Sequence, residues 1–207
     1  MKVEIRNNSV FIEGYVNAVA RDSKPIPSIG GRFIEQVVPG VFQRALDKST
    51  NVDLLLNHDK SRKLGSTIEG NLELFEDNIG LKAICTVSDN EVVRKAKDNK
   101  LKGWSFGFYI SKDRWEDGTN GMKRRYLEDI ELTEVSIIDD TNDPAYIATS
   151  IEVRNDKEIL IENRVTDSKI ITVYKSEKEE SRAETDLGSI LEIELEYIRA
   201  RMPKRFT

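Results

Sequence analysis

The run Lys100-Leu-Lys-Gly-Trp-Ser-Phe-Gly-Phe-Tyr-Ile110 constrains the fold of this chain more than any other. Read as a strand of period two, it places Trp104, Phe106, Phe108 and Ile110 on one face and Gly103, Ser105, Gly107 and Tyr109 on the other. The aromatic set reads as core. Glycine weakens a strand interior unless something must come close to the backbone, so two glycines flanking Ser105 on its own face point to an approach site. A bend or bulge in an ordinary strand is the competing reading.

Composition narrows the classes of function. A chain of 207 residues suits one medium domain, or one domain with an appendage. Hydrophobic residues are 38% and charged residues 33%, the balance of a soluble globular protein with strongly solvated segments. Lys plus Arg is 32 against 37 Asp plus Glu, a net charge of -5, which argues against a direct nucleic-acid role. The small basic patch from Arg199 to Arg205 reads instead as a helix-end cluster. One cysteine, Cys85, and one histidine, His58, exclude a disulfide framework and a multi-ligand Cys/His metal site, and no cofactor is expected. Cys85 lies in the apolar run Gly80 to Val87 and reads as a buried structural residue. With no signal-peptide apolar region at Met1 to Arg6 and no run of about 18 apolar residues, the expected setting is reducing and intracellular, without a membrane.

Along the chain, residues 3 to 20 read as strand material, Ser23 to Gly31 as a loop, and Arg32 to Val38 as extended up to Pro39-Gly40. Phe42, Ala45 and Leu46 then have the spacing of a short amphipathic helix. In Asn51 to Asp59, Leu54, Leu56 and His58 share a face under strand periodicity, so the single histidine is expected to continue an apolar row at a strand end. Two or three strands are predicted over Gly65 to Phe75 and Gly80 to Val87, with Glu76 to Asn78 turning between the two stretches. Ser88-Asp-Asn-Glu91 reads as a capping box opening a helix with Val92, Val93 and Ala96 as its apolar stripe. A hairpin around Asp117 to Gly121 leads to Tyr126 to Ile138, where Ile130, Leu132, Glu134, Ser136 and Ile138 are expected on one face. Glu134 then sits in a strand apolar on both sides, where a carboxylate is costly unless it is partnered; an edge Glu reaching solvent is the alternative. Thr141 to Ala145 is a turn. Beyond residue 153, Ser176 to Asp186 carries seven charged residues and reads as a linker, and Leu187, Ile190, Leu191, Leu195 and Ile198 repeat at helical spacing.

One hydroxyl on a cleared face, one imidazole and one buried carboxylate, each on a different strand, are the parts for nucleophilic acyl transfer. A neutral imidazole acting as base, unperturbed near pH 6.5, would lose its function below about pH 6 to 7. Periodicity alone does not bring the three side chains together.

Four motifs in order, Phe33-Ile-Glu-Gln-Val-Val-Pro-Gly-Val-Phe42, Leu54-Leu-Leu-Asn-His58 with Leu64-Gly65, Gly103-Trp-Ser-Phe-Gly-Phe108 and Leu132-Thr-Glu-Val-Ser136, resemble the prohead (capsid maturation) serine proteases of tailed bacteriophages and prophages, a family similar in fold to the herpesvirus assemblins. The resemblance covers roughly residues 5 to 150. It implies an α+β fold with a mostly antiparallel, barrel-like protease domain over 1–153 and flanking helices. Residues 154–207 lie beyond the resemblance; their charged linker and amphipathic helix are expected to act as a tether, scaffold-interacting or self-cleaved tail. It implies an endopeptidase that cuts the scaffold segment from the major capsid protein, and itself, inside the procapsid in the host cytoplasm. Carried over by position, Ser105 is the nucleophile, His58 the base and then acid, and Glu134 the third member; Gly103 and Gly107 are candidates for the oxyanion contact and substrate approach. Val41 stands where a small residue is expected after Pro-Gly. The implied partners are the capsid protein and its scaffold segment, with a possible homo-oligomer. A non-catalytic virion or scaffold-binding module that retains the fold is the alternative.

Overall fold

The structure, a computed structural model, describes residues 1–28, 31–118, 121–141, 150–154, 157–167 and 170–174; beyond residue 149 only the backbone pairing is described, apart from the side chains of 170–173. The described residues through Val173 belong to one compact unit, Met1–Val173. The expected linker and C-terminal helix, and the turn from residue 142 onward, lie outside the described residues.

Among the described residues the alternating segments form thirteen strands, and the helical patterns after Gly40 and Asp89 form two helices. β1 (Lys2–Ile5), β2 (Val10–Ala18), β7 (Leu72–Glu76), β8 (Gly80–Val87) and β13 (Ile171–Tyr174) make one sheet in the order β13-β1-β2-β8-β7. β3 (Ile26–Ser28), β4 (Gly31–Val37), β9 (Leu101–Asp117), β10 (Lys123–Asp139), β11 (Ser150–Arg154) and β12 (Lys157–Asp167) make the second, in the order β11-β12-β9-β10-β4-β3. β5 (Asp53–Leu56) joins this sheet on β10, and β6 (Asp59–Ser66) pairs with β5. Most pairings are antiparallel, as expected; β10 runs parallel to β4 over its first residues and to β5 over its last. Neither sheet closes on itself among the described residues, so the α+β class is as expected and no closed barrel is seen there. Of the two or three strands expected over Gly65 to Phe75 and Gly80 to Val87, three are found: Thr67 to Asn71 turn between the end of β6 and β7, and β8 follows.

The core lies between the sheets. Trp104, Phe106 and Phe108 are fully buried beside Val10, Ile12 and Val16 of β2 and Leu81 and Ala83 of β8. Gly14 makes room for this layer: a Cβ there would stand 3.1 Å from the Trp104 indole nitrogen and 3.0 Å from Met1 Cα. α1 (Val41–Lys48) buries Val41, Phe42 and Ala45, and Phe42 meets Phe106 edge-on, with ring centroids 5.4 Å apart. Val41 is fully buried at the helix start. Gly40, at φ 82, turns the chain into α1, and no side chain of its own caps the helix. Glu76 of β7 does so across the fold, accepting the Gly40 amide at 2.6 Å and the Gln43 amide at 2.8 Å.

α2 (Asn90–Lys97) is capped by Asp89, which accepts the amides of Glu91 and Val92, rather than by the expected Ser88. The helix begins one residue later than the capping-box reading requires, leaving Ser88 outside it. Glu91 pairs instead with Arg62.

Candidate active site

The central stretch folds as read, placing Ser105 in the middle of β9. Trp104, Phe106 and Phe108 take the core face, and Ser105, also fully buried, takes the other. β9 is paired along both edges here: Ser105 stands opposite Ser136 of β10 and Val165 of β12, and Gly107 opposite Glu134 and Asn163. Gly103 lies opposite Ile138 and Asp167. In a strand paired on both sides the backbone amides lie in the plane of the sheet, so Gly103 and Gly107, both buried, present no donors projecting above the face.

Glu134 reaches that face by a route its alternation does not encode. In β10, Leu132 pairs with Phe108 but Glu134 pairs with Gly107, so Thr133 is an extra residue, a β-bulge. One inserted residue reverses the phase of everything after it. Before the bulge Ile130 and Leu132 face the core; after it Val135 and Ile137 do so, opposite Phe106 and Trp104. Glu134 and Ser136 are thereby turned onto the Ser105 face. The expected single face from Ile130 to Ile138 is therefore two half-faces joined at Thr133. The Thr133 hydroxyl donates to the Gly107 carbonyl at 2.8 Å, which holds the bulge.

His58 does not extend the apolar row of β5. Asn57 and His58 form the two-residue link between β5 and β6, both with left-handed backbone, at φ 57 and φ 62. Positive φ at both central residues is the signature of a tight hairpin turn whose twist suits the strands. The parallel pairing of β5 with β10, completed by the Asn57 amide on the Ile137 carbonyl at 2.9 Å, sets this turn beside Glu134 and Ser136.

These placements bring His58 and Glu134 into contact. His58 Nδ1 and Glu134 Oε1 are 2.6 Å apart, with side chains 12% and 10% exposed. A proton must lie between them, and with it on Nδ1 the other ring nitrogen presents a lone pair. That atom, Nε2, is buried and has no hydrogen-bond partner among the described residues. Ser136 Oγ donates to Glu134 Oε2 at 2.6 Å and accepts the His58 amide at 3.1 Å. Ser105 joins the pair by register, one strand across from Ser136, where directly opposed Cβ atoms are about 5 Å apart.

A further shell holds the turn. Asn57 Oδ1 accepts the Asp139 amide at 3.0 Å, and Asn57 Nδ2 donates to Thr141 Oγ1 at 3.3 Å. Asp139, fully buried, takes Lys95 of α2 and the amide and hydroxyl of Thr141. Burial alone would raise the Asp139 carboxyl; Lys95 and Thr141 outweigh it and hold it at about 2. Burial pushes the Cys85 thiol up to about 12, so it stays a protonated core residue. Among the described residues no group of three His, Cys, Asp or Glu side chains is placed to hold a metal ion.

Sequence reasoning missed Thr133, Ser136 and Asn57. Ser136 was legible as a hydroxyl two residues from Glu134 on one face, and Asn57 as a turn-former beside the histidine. Thr133 carries no signal of a bulge.

The chain matches the family of caudovirus prohead serine proteases over residues 1–162. The prohead protease of Escherichia phage T5 is 25% identical to it over an aligned length of 142, covering 65% of this chain and 60% of the phage protein. The chain thus covers less than two thirds of that relative's length. No solved structure matches it.

Proposed function

The chain belongs to the caudovirus prohead serine proteases, and from that premise we propose that it is an endopeptidase of procapsid maturation with Ser105 as nucleophile, His58 as base and Glu134 as the group that orients the base. The observation that carries this reading is the His58–Glu134 contact of 2.6 Å, which leaves a buried Nε2 unpartnered in a site that shares its sheet face with Ser105.

The reaction follows from those positions. Ser105 Oγ bonds to the scissile carbonyl carbon as its proton passes to His58 Nε2. Glu134 holds the Nδ1 proton and stabilises the imidazolium that forms. The C–N bond then breaks, His58 protonates the departing amine, and an acyl ester remains on Ser105. Water attacks that ester while His58 takes its proton, the ester bond breaks, and Ser105 recovers its hydrogen. Gly103 and Gly107 leave no side chain beside Ser105, where the backbone of an extended peptide would approach.

The substrates that suit this family are the scaffold segment of the major capsid protein and the protease's own chain, met inside the assembling procapsid in the host cytoplasm. Residues 154–207 act as its tether, scaffold contact or self-cleaved tail. No helix among the described residues is long and apolar enough to cross a membrane.

A fluorophosphonate reagent tests the assignment. It should add one adduct to the intact mass, mapped to Ser105, and label His58→Ala far more slowly. Absence of any adduct on folded protein, with unchanged association with procapsids, would favour a non-catalytic module.

A further inference from the structure

The His58–Glu134 contact is one side of a closed ring of hydrogen bonds. From the imidazole it runs to Glu134 Oε1, through the carboxylate to Oε2, to Ser136 Oγ at 2.6 Å, and from Ser136 back to the His58 amide at 3.1 Å. A serine hydroxyl has one hydrogen to give and two lone pairs. Here the hydrogen goes to the carboxylate, and a lone pair takes the amide of the residue whose ring the carboxylate holds. Ser136 is fully buried at the register position opposite Ser105.

From this ring we propose that Ser136 is a positioning residue of the site. Its hydroxyl occupies Glu134 Oε2, which leaves Oε1 as the oxygen that faces Nδ1 and fixes the plane of the carboxylate. It also holds the His58 amide, and so the left-handed backbone at φ 62 from which the ring projects. One side chain thereby sets the distance and the angle between base and orienting acid. The role rests on the reading of His58 and Glu134 as members of a protease site.

The test uses the full chain and the fact that it contains one histidine. In a Ser105→Ala background, which removes self-cleavage, the hydrogen-bonded Nδ1 proton gives one assignable low-field NMR resonance. Adding Ser136→Ala should move that resonance upfield or lose it to exchange with water, and adding Ser136→Thr should restore it. In chains that retain Ser105, Ser136→Ala should lower kcat about tenfold with little change in KM. An unmoved resonance in folded Ser136→Ala protein overturns the positioning role, whether or not the chain cuts peptides. A moved resonance with no proteolysis by the parent chain would instead sink the protease reading and leave the ring standing. If the alanine variant does not fold, Ser136→Cys, which keeps the volume and hydrogen-bonds weakly, is read the same way.

Discussion

His58 stands at φ 62, where a β-carbon crowds the following carbonyl, and stays there because its amide, its ring and the neighbouring Asn57 are each held by β10 and the residues that follow it. If that strain is real, His58→Gly should be more stable than His58→Ala by about 1 kcal/mol in urea unfolding, with both inactive. Equal stabilities would contradict a strained turn. Glu134→Gln tests the partner: the amide can no longer hold the base in one tautomer, so kcat should fall about 10²–10⁴-fold while the melting midpoint moves by a few degrees. A loss confined to stability would make Glu134 a structural residue. At this scale the sequence was legible in kind and not in connection. A lone hydroxyl between glycines, a lone histidine and a carboxylate among apolar residues all stand out. Ser136, which ties two of them together, looks like any small strand residue until its neighbours across the sheet are known.

The element that decides the site is the bulge at Thr133. Deleting Thr133 removes the bulge and sets Glu134 directly after Leu132, so alternation runs unbroken and Glu134 stays on the Ser105 face opposite Gly107. The deletion should therefore fold and remain active. Thr133→Val keeps the residue count and loses only the hydroxyl on the Gly107 carbonyl, so it should cost about 1 kcal/mol and remain active. A folded deletion variant that no longer cuts would show that the bulge does more than set the phase of Glu134. The strands themselves were readable from period two, and the helices from their apolar spacing. The inserted residue was not, since a bulge is set by what the partner strand needs, and β9 was matched to β10 only by folding. The same holds for the cap of α1: Glu76 arrives from β7, more than thirty positions downstream of the helix start.

At the scale of the molecule, the site draws on the β5–β6 turn, β9 and β10, brought together by a sheet in which β10 carries β9 on one edge and β4 then β5 on the other. That split edge is a long-range arrangement, and no local pattern announces it. The buried Lys95–Asp139 pair joins α2 to the end of β10 and, through Asn57, to the histidine turn. Lys95→Met strands a buried carboxylate and should cost about 3 kcal/mol or more in chemical denaturation. The folded-state value of Asp139, about 2, lies below its ordinary 3.8, so the unfolded chain binds the proton more readily. The stabilisation is therefore fully present above about pH 4 and is lost as pH falls from there towards 2. Lys95→Met should accordingly show a flatter acid limb of stability than wild type over that range. The central claim, Ser105-dependent proteolysis, is tested most directly by intact mass of wild type and Ser105→Ala, each expressed alone and with a candidate major capsid protein. Defined fragments of either protein with wild type and none with the alanine variant are the expected result; identical, uncut masses in every case, with both proteins folded and assembled, would contradict it.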